Sequence, residues 1–117
     1  MKEEHLKEIL DFIKRNSFIA ELKEGKIIVR SEPNSPVTLI LEPKEHGIEM
    51  RLEAEDLIDY IEELRDHGED ANEIIEGQLD DLKSIAYKLV KLLSEKGLKI
   101  INKLRESELD ILEELEE

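Results

Sequence analysis

The sequence predicts an α+β protein that has an N-terminal helix, a four-stranded antiparallel β-meander and two or three C-terminal helices packed in two layers. Between residues 17 and 53, apolar residues recur at every second position, which is typical of half-buried strands. Before and after that region they recur every three or four positions, which is typical of amphipathic helices. We therefore expect a single domain over 1–117, divided into a helix at 1–16, the meander at 17–53 and a helical part at 54–117 that ends in an acidic tail at 106–117.

The first helix and the first hairpin follow from short local patterns. The helix has one apolar face, formed by Leu6, Ile9, Leu10 and Ile13. The strands "SFIAELK" and "KIIVR" are separated by Glu24-Gly25, a tight-turn signal because glycine accepts a positive φ. This turn predicts that Leu22 lies opposite Ile27 and that Ala20 lies opposite Val29, so the apolar residues of both strands share one face.

The third and fourth strands are bounded by the loops "SEPNSP" and "EPKEHG". Each strand has three apolar residues on one face, and pairing Leu41 with Ile48 brings these two sets together. On the other face of the meander, isoleucines stand among charged residues and could be covered by a helix or be available to a partner: Ile19, Ile28 and Ile40.

Helical periodicity resumes after Glu53. The stretch "AEDLIDYIEELRDHG" predicts a helix that ends near Gly68, and residues 70–96 predict a longer helix that ends at Gly97. The remaining "LKIINKLRESELDILEELEE" continues a helical pattern, which we favour for this segment. A strand over "GLKII" is the alternative, because short apolar runs fit either structure.

The long helix has a wide apolar arc. A coiled-coil-like seam is flanked by further apolar residues, and together they span roughly 160 degrees, more than the ~100 degrees needed to cover one surface. Either the other helices cover this arc within one protomer, or part of it forms a homodimer contact. The candidate interface residues are Ile74, Ile85, Leu92, Leu109 and Leu112.

Charge is segregated along the chain, whose formal net charge is −14. Residues 53–82 carry thirteen acids and one base, residues 83–105 carry seven bases and one acid, and residues 106–117 carry seven acids and no base. This excess of acid disfavours nucleic acid as a partner, because duplex binding begins with the neutralisation of phosphates. The acidic tail either meets the basic segment before it or remains solvated.

The acidic block also predicts a candidate docking face for a basic protein segment. Four acids follow one side of the second helix at i, i+3, i+7 and i+10: Asp56, Asp59, Glu63 and Asp66. The alternative is that they form only the solvated side of an amphipathic helix.

Motifs for catalysis, metal or cofactor binding are not found in the sequence. It has no cysteine, its serines lack a nucleophile context and its glycines occur singly. Glu63 and His67, with Glu69 or Asp70, offer half of a metal site without the remaining ligands. We expect no enzyme activity, no cofactor and no membrane contact, and the absence of a visible signal peptide predicts a cytoplasmic protein.

These observations favour a non-catalytic protein-interaction module that forms a homodimer. The alternative is an acidic, charge-based regulator or a chaperone-like protein that docks a basic partner segment. The order of helix, meander and helices in a small acidic chain resembles, in architecture alone, secretion-chaperone-like α+β domains, which are typically dimers that bind extended segments of other proteins. The long helical second half departs from that pattern.

Overall fold

A computed structural model describes residues 3–116, which form four helices and five strands in an α+β arrangement. In chain order these are α1 (Glu3–Arg15), β1 (Ile19–Lys23), β2 (Lys26–Arg30), β3 (Val37–Lys44), β4 (Gly47–Ala54), α2 (Leu57–Asp66), α3 (Ala71–Glu95), β5 (Ile100–Asn102) and α4 (Leu104–Glu116). The strands form one mixed sheet in the order β1-β2-β3-β4-β5. The α+β class is confirmed, and the four predicted antiparallel strands are present, but the sheet has a fifth strand, β5, that the prediction missed. Within residues 3–116, every helix is too short or too polar to cross a lipid bilayer.

The β1–β2 hairpin has the predicted register. Leu22 pairs with Ile27 and Ala20 pairs with Val29. The turn residues Glu24 and Gly25 have φ values of 53° and 77°. Positive φ at both positions is the signature of a type I′ turn, whose twist matches that of the flanking strands. The two-residue turn therefore fixes the pairing of every residue in this hairpin.

The β3–β4 hairpin pairs two residues away from the predicted register. Leu41 lies opposite Met50 rather than Ile48, because β3 continues through Pro43 and Lys44 and leaves only two residues in the turn. A shift of two residues keeps every side chain on its predicted face, since side chains alternate with a period of two. The apolar face is therefore as expected although its pairing is not.

The fifth strand corrects the expectation that residues after Gly97 continue as helix. Gly97 ends the α3 segment with φ 75°, and β5 then pairs in parallel with β4, Ile48 lying opposite Ile100. The amide of Ile48 donates to the Lys99 carbonyl at 2.8 Å. A Cβ atom on Gly47 would stand 2.5 Å from the same carbonyl oxygen, so this position requires glycine.

The start of α4 continues the pairing of β4 beyond β5. The amide of Lys103 donates to the Met50 carbonyl at 2.8 Å, and the amide of Leu52 donates to the Ser107 hydroxyl at 2.9 Å. The Ser107 hydroxyl in turn donates to the Lys103 carbonyl at 2.6 Å. A helix side chain thus satisfies a strand amide that has no strand partner on that side.

All four helices contribute to one core, which takes its strand residues from a single face of the sheet. The centre of this core is α3, whose N-terminus is capped by the Asp70 carboxylate accepting from the amide of Glu73 at 3.2 Å. Seven apolar residues along α3 are no more than 1 % exposed: Ile75, Leu79, Leu82, Ile85, Ala86, Leu89 and Leu93.

Residues 106–116 of the acidic tail lie in α4, which folds back on the protein, and residue 117 lies outside the described residues. Ile111 and Leu115 are buried, and the Lys83 ammonium lies 2.6 Å from the Glu108 carboxylate. This hydrogen bond raises the pKa of Lys83. A second base of the 83–105 segment, Lys103, lies 3.8 Å from the carboxylate of Glu106. Two bases of this segment therefore meet acids of the tail within the same chain, which is the first of the two arrangements expected from the charge pattern.

On the other face of the sheet, Arg51 connects three glutamates. Its guanidinium lies 2.6–2.8 Å from the carboxylates of Glu42, Glu49 and Glu53. The hydrogen bond from Arg51 is the main reason why the pKa of Glu42 is lowered, and a bond from Lys44 adds to it. On the same face, Ile40 is only 4 % exposed, so this isoleucine is covered within the protomer.

Candidate functional site

Two adjoining cavities form a cleft between the loop 31–36 and α2. One has a volume of about 450 Å³ and the other about 680 Å³, and both are lined by Pro33, Asn34, Tyr60 and Glu63. The loop contains two prolines and crosses from β2 to β3, while α2 begins directly after β4. We call this feature the loop–α2 cleft.

A polar network connects three residues that line the cleft, Glu32, Ser35 and Tyr60, to Gln78 behind them. Gln78 of α3 is only 4 % exposed, and its Nε2 donates to the Tyr60 hydroxyl at 3.0 Å and to the Glu32 carboxylate at 2.6 Å. The hydroxyl of Ser35 lies 3.2 Å from Gln78 Oε1 and 3.0 Å from the Val37 carbonyl, so its single proton can reach either acceptor. The network joins the loop, α2 and α3 through one side chain.

Gln78 was missed by the sequence analysis although the sequence contains a signal for it. It is the only glutamine of the chain and lies three residues after Ile75, on the side of α3 that faces the core. A polar residue at such a position needs hydrogen-bond partners, because burying an unpaired amide is costly. Its position therefore indicated a polar contact inside the core, although not the identity of the partners.

The walls of the cleft are acidic, and they include three of the four acids predicted for the docking face. Asp56, Asp59 and Glu63 line it, whereas Asp66, at the last turn of α2, does not. Three further acids join them: Glu32, Glu55 and Glu69. Among the lining residues within 3–116, six carboxylates face one arginine, Arg30, which gives a formal charge of −5 with His67 neutral.

Asp56 has an unusual backbone for its position. It precedes the first residue of α2 with φ 53° and ψ 36°, in the left-handed region, and its side chain makes no capping hydrogen bond. Aspartate tolerates this conformation better than most residues do, although the conformation still costs energy. The carboxylate of Asp56 is therefore not used to cap α2 and lines the cleft instead.

His67 lies at the end of the cleft, where the sequence offered half of a metal site. Its Nδ1 hydrogen-bonds the backbone carbonyl of Glu63 at 2.8 Å rather than the Glu63 carboxylate. Among the residues that the structure describes, no group of three or more histidine, aspartate or glutamate side chains is arranged to hold a metal ion.

The candidate interface residues do not form one exposed surface. Ile85 is 1 % exposed and belongs to the core of the protomer rather than to its surface. Leu92 and Leu112 are half-buried against the core, and Ile74 is half-buried outside it. Leu109 alone is more than half exposed, at 51 %.

The physical reason is the path of the chain after α3. Because β5 turns the chain back along β4, α4 packs against both β4 and α3. Ile85 itself is covered within the protomer, which is the alternative that the width of the arc left open.

Comparisons with protein-family models, with curated proteins and with solved structures found no match to this chain. The geometry and charge of the cleft are therefore the basis for a functional proposal.

Proposed function

We propose that this protein is a non-catalytic interaction module that captures a basic segment of a partner protein in the loop–α2 cleft. The observation that carries the proposal is the convergence of six carboxylates around one concave surface, from the loop, from one side of α2 and from the segments before and after α2. The charge pattern of the sequence supports it, because it predicted three of these acids as a docking face.

The cleft has the chemistry to bind lysine and arginine side chains. Carboxylates accept charge-assisted hydrogen bonds from both, and bidentate ones from arginine. Tyr60 lines both cavities, and its ring offers a face for a cation between the acids. The two volumes lie within the range of about 300–1,000 Å³ typical of small-molecule sites, so each can hold a long side chain.

The exposure of the acids favours docking over general acid–base catalysis. Glu32, Glu55, Asp56, Asp59 and Glu63 are all solvent-exposed. Carboxyl groups that act as acids near neutral pH are usually held in apolar surroundings, which raise their pKa values. Exposed carboxylates instead attract cations and accelerate encounter with a partner of opposite charge.

The proposal is tested by measuring the affinity of a fluorescent peptide rich in lysine and arginine at low and high salt. The variant Asp59→Asn/Glu63→Gln removes two charges from the cleft. At a separation of about 6 Å in water each lost ion pair is worth about 0.7 kcal/mol. The variant should therefore bind about tenfold more weakly than the wild type at low salt.

The matched control is Glu113→Gln/Glu116→Gln, which makes the same change in net charge on exposed residues of α4. It should keep most of the wild-type affinity. Equal losses in the two variants would mean that the peptide responds to overall charge rather than to the cleft, and would refute the proposal.

A further inference from the structure

The free edge of the sheet is independent of the cleft chemistry and has a self-complementary pattern. Within residues 3–116, β1 has a strand neighbour on one side only, β2, and four of its five residues are exposed. Leu22 is 50 % exposed although it lies on the face of the sheet that carries the core. An edge strand offers unpaired amides and carbonyls to any chain that can pair with it.

The hairpin determines which backbone groups of β1 point outwards. In the two-residue turn, the Lys23 carbonyl accepts from the amide of Lys26, so the backbone groups of Lys23 point towards β2. Because this orientation alternates along an antiparallel strand, the groups of Glu21 also point towards β2, whereas those of Ala20 and Leu22 point to the open side. Leu22 is therefore the outward-facing position nearest to the turn within β1.

We propose that two copies of this chain pair through β1, antiparallel and about a two-fold axis at Leu22, to form a continuous ten-stranded sheet. This register places Leu22 opposite Leu22 of the second copy. It also places Glu21 of each copy opposite Lys23 of the other, in the closely spaced pairs where side chains interact most strongly. Moving the register by two residues would instead bring Glu21 opposite Glu21 in one direction or Lys23 opposite Lys23 in the other, so the charges disfavour both neighbouring registers.

The protomer leaves these groups available for such pairing. Glu21 is bound to Arg30 at 3.2 Å but keeps 53 % of its side chain exposed. Within residues 3–116, Lys23 makes no ion pair. Pairing through β1 would cover both copies of Leu22 and give each Lys23 a carboxylate partner. A second copy fits this edge because the edge matches itself in charge and in apolar side chains.

A cysteine cross-link tests the register, since the natural sequence has no cysteine. In the proposed dimer, the two copies of position 22 have Cα atoms about 5.5 Å apart, which suits a disulfide. The Leu22→Cys variant should therefore form a covalent dimer on mild oxidation. The control Ile19→Cys is also exposed on β1, but its two copies would lie about 20 Å apart, and it should stay monomeric. Equal cross-linking of the two variants would overturn the proposal.

Charge exchange tests the same contact without a covalent bond. In sedimentation experiments over a hundredfold range of concentration, the wild type should associate reversibly. Glu21→Lys and Lys23→Glu should each weaken the association at least tenfold, and the double variant Glu21→Lys/Lys23→Glu should restore it. A wild type that remains monomeric throughout, or a dimer that is indifferent to both single changes, would overturn the proposal. Lys23 neither lines the loop–α2 cleft nor pairs with a lining residue, whereas Glu21 pairs with Arg30, which lines it. The Lys23→Glu variant is therefore the one in which dimer formation and peptide binding can succeed or fail independently.

Discussion

Replacing Gln78 with leucine should destabilise the protein and loosen the loop–α2 cleft. The change removes the donor to Tyr60 and Glu32 and one of the two acceptors near Ser35. Ser35 keeps the Val37 carbonyl as an acceptor, so two hydrogen bonds are lost. The neutral bond to Tyr60 contributes about 1 kcal/mol net and the bond to the Glu32 carboxylate about 2 kcal/mol, which amount to about 3 kcal/mol. A buried leucine returns part of this through the burial of apolar surface, about 1–2 kcal/mol. The free energy of unfolding should therefore fall by about 1–2 kcal/mol, as measured by urea denaturation at neutral pH.

A glutamate at position 78 separates the loss of hydrogen bonds from the effect of charge. The Gln78→Glu variant places a carboxylate at a site that is 4 % exposed and close to Glu32. Burial and the neighbouring charge both raise the pKa of the new group in the folded state above its value in the unfolded chain. Since the protonated form is the one that the fold favours, this variant should gain stability relative to the wild type as the pH falls from 7 to 5.

A double-mutant cycle provides the decisive comparison. Gln78→Leu and Tyr60→Phe should be coupled by about 0.5–1.5 kcal/mol, because each removes one side of the same hydrogen bond. Strictly additive losses, together with a Gln78→Glu variant whose stability does not depend on pH, would refute the assignment of Gln78 as the side chain that joins the loop to α2.

Three other substitutions test separate contacts by the same denaturation assay. Ser107→Ala leaves the amide of Leu52 without an acceptor and should cost about 1–3 kcal/mol; an unchanged protein would show that α4 is not held at this point. Gly47→Ala forces a Cβ atom against the Lys99 carbonyl and should cost more than about 1 kcal/mol, with loss of the β4–β5 pairing in amide exchange; retained protection at Ile48 would contradict this. Glu42→Gln should cost about 0.5–1 kcal/mol at neutral pH. Because the folded-state pKa of Glu42 is lowered, that difference should disappear as the pH falls through it; a difference independent of pH would refute the ion pair.

The sequence predicted correctly those parts of the fold in which neighbouring residues allow only one local structure. Glu24-Gly25 permits a single tight turn, so the register of β1 and β2 followed from it. The β3–β4 pairing was wrong by two residues because alternation cannot distinguish registers that differ by a whole period. The proline at position 43 suggested a loop, but it is accommodated in β3 opposite Ile48.

The failure to predict the fifth strand, β5, has a different origin. Ile100 and Ile101 suit a helix as well as a strand, and only the open edge of β4 decides between them. The same segment positions α4, which packs against both β4 and α3. For the candidate site, the spacing of acids on α2 predicted three residues of the cleft, whereas the polar network behind it depends on Gln78 meeting residues from distant segments. Periodicity describes one helix or strand at a time, so it does not predict contacts between residues that are distant in sequence.

The parallel pairing of β4 with β5 has a consequence for the nascent chain during translation. Ile48 pairs with Ile100, which follows it by 52 positions, and the amide of Leu52 donates to the hydroxyl of Ser107, which is synthesised later still. At a synthesis rate of ~5–20 residues per second, the ribosome needs roughly 3–10 seconds to supply these partners. During that interval one edge of β4 has no strand partner. The speed of translation between codons 54 and 107 therefore sets how long this edge can pair with other nascent chains on the same polysome and cause aggregation.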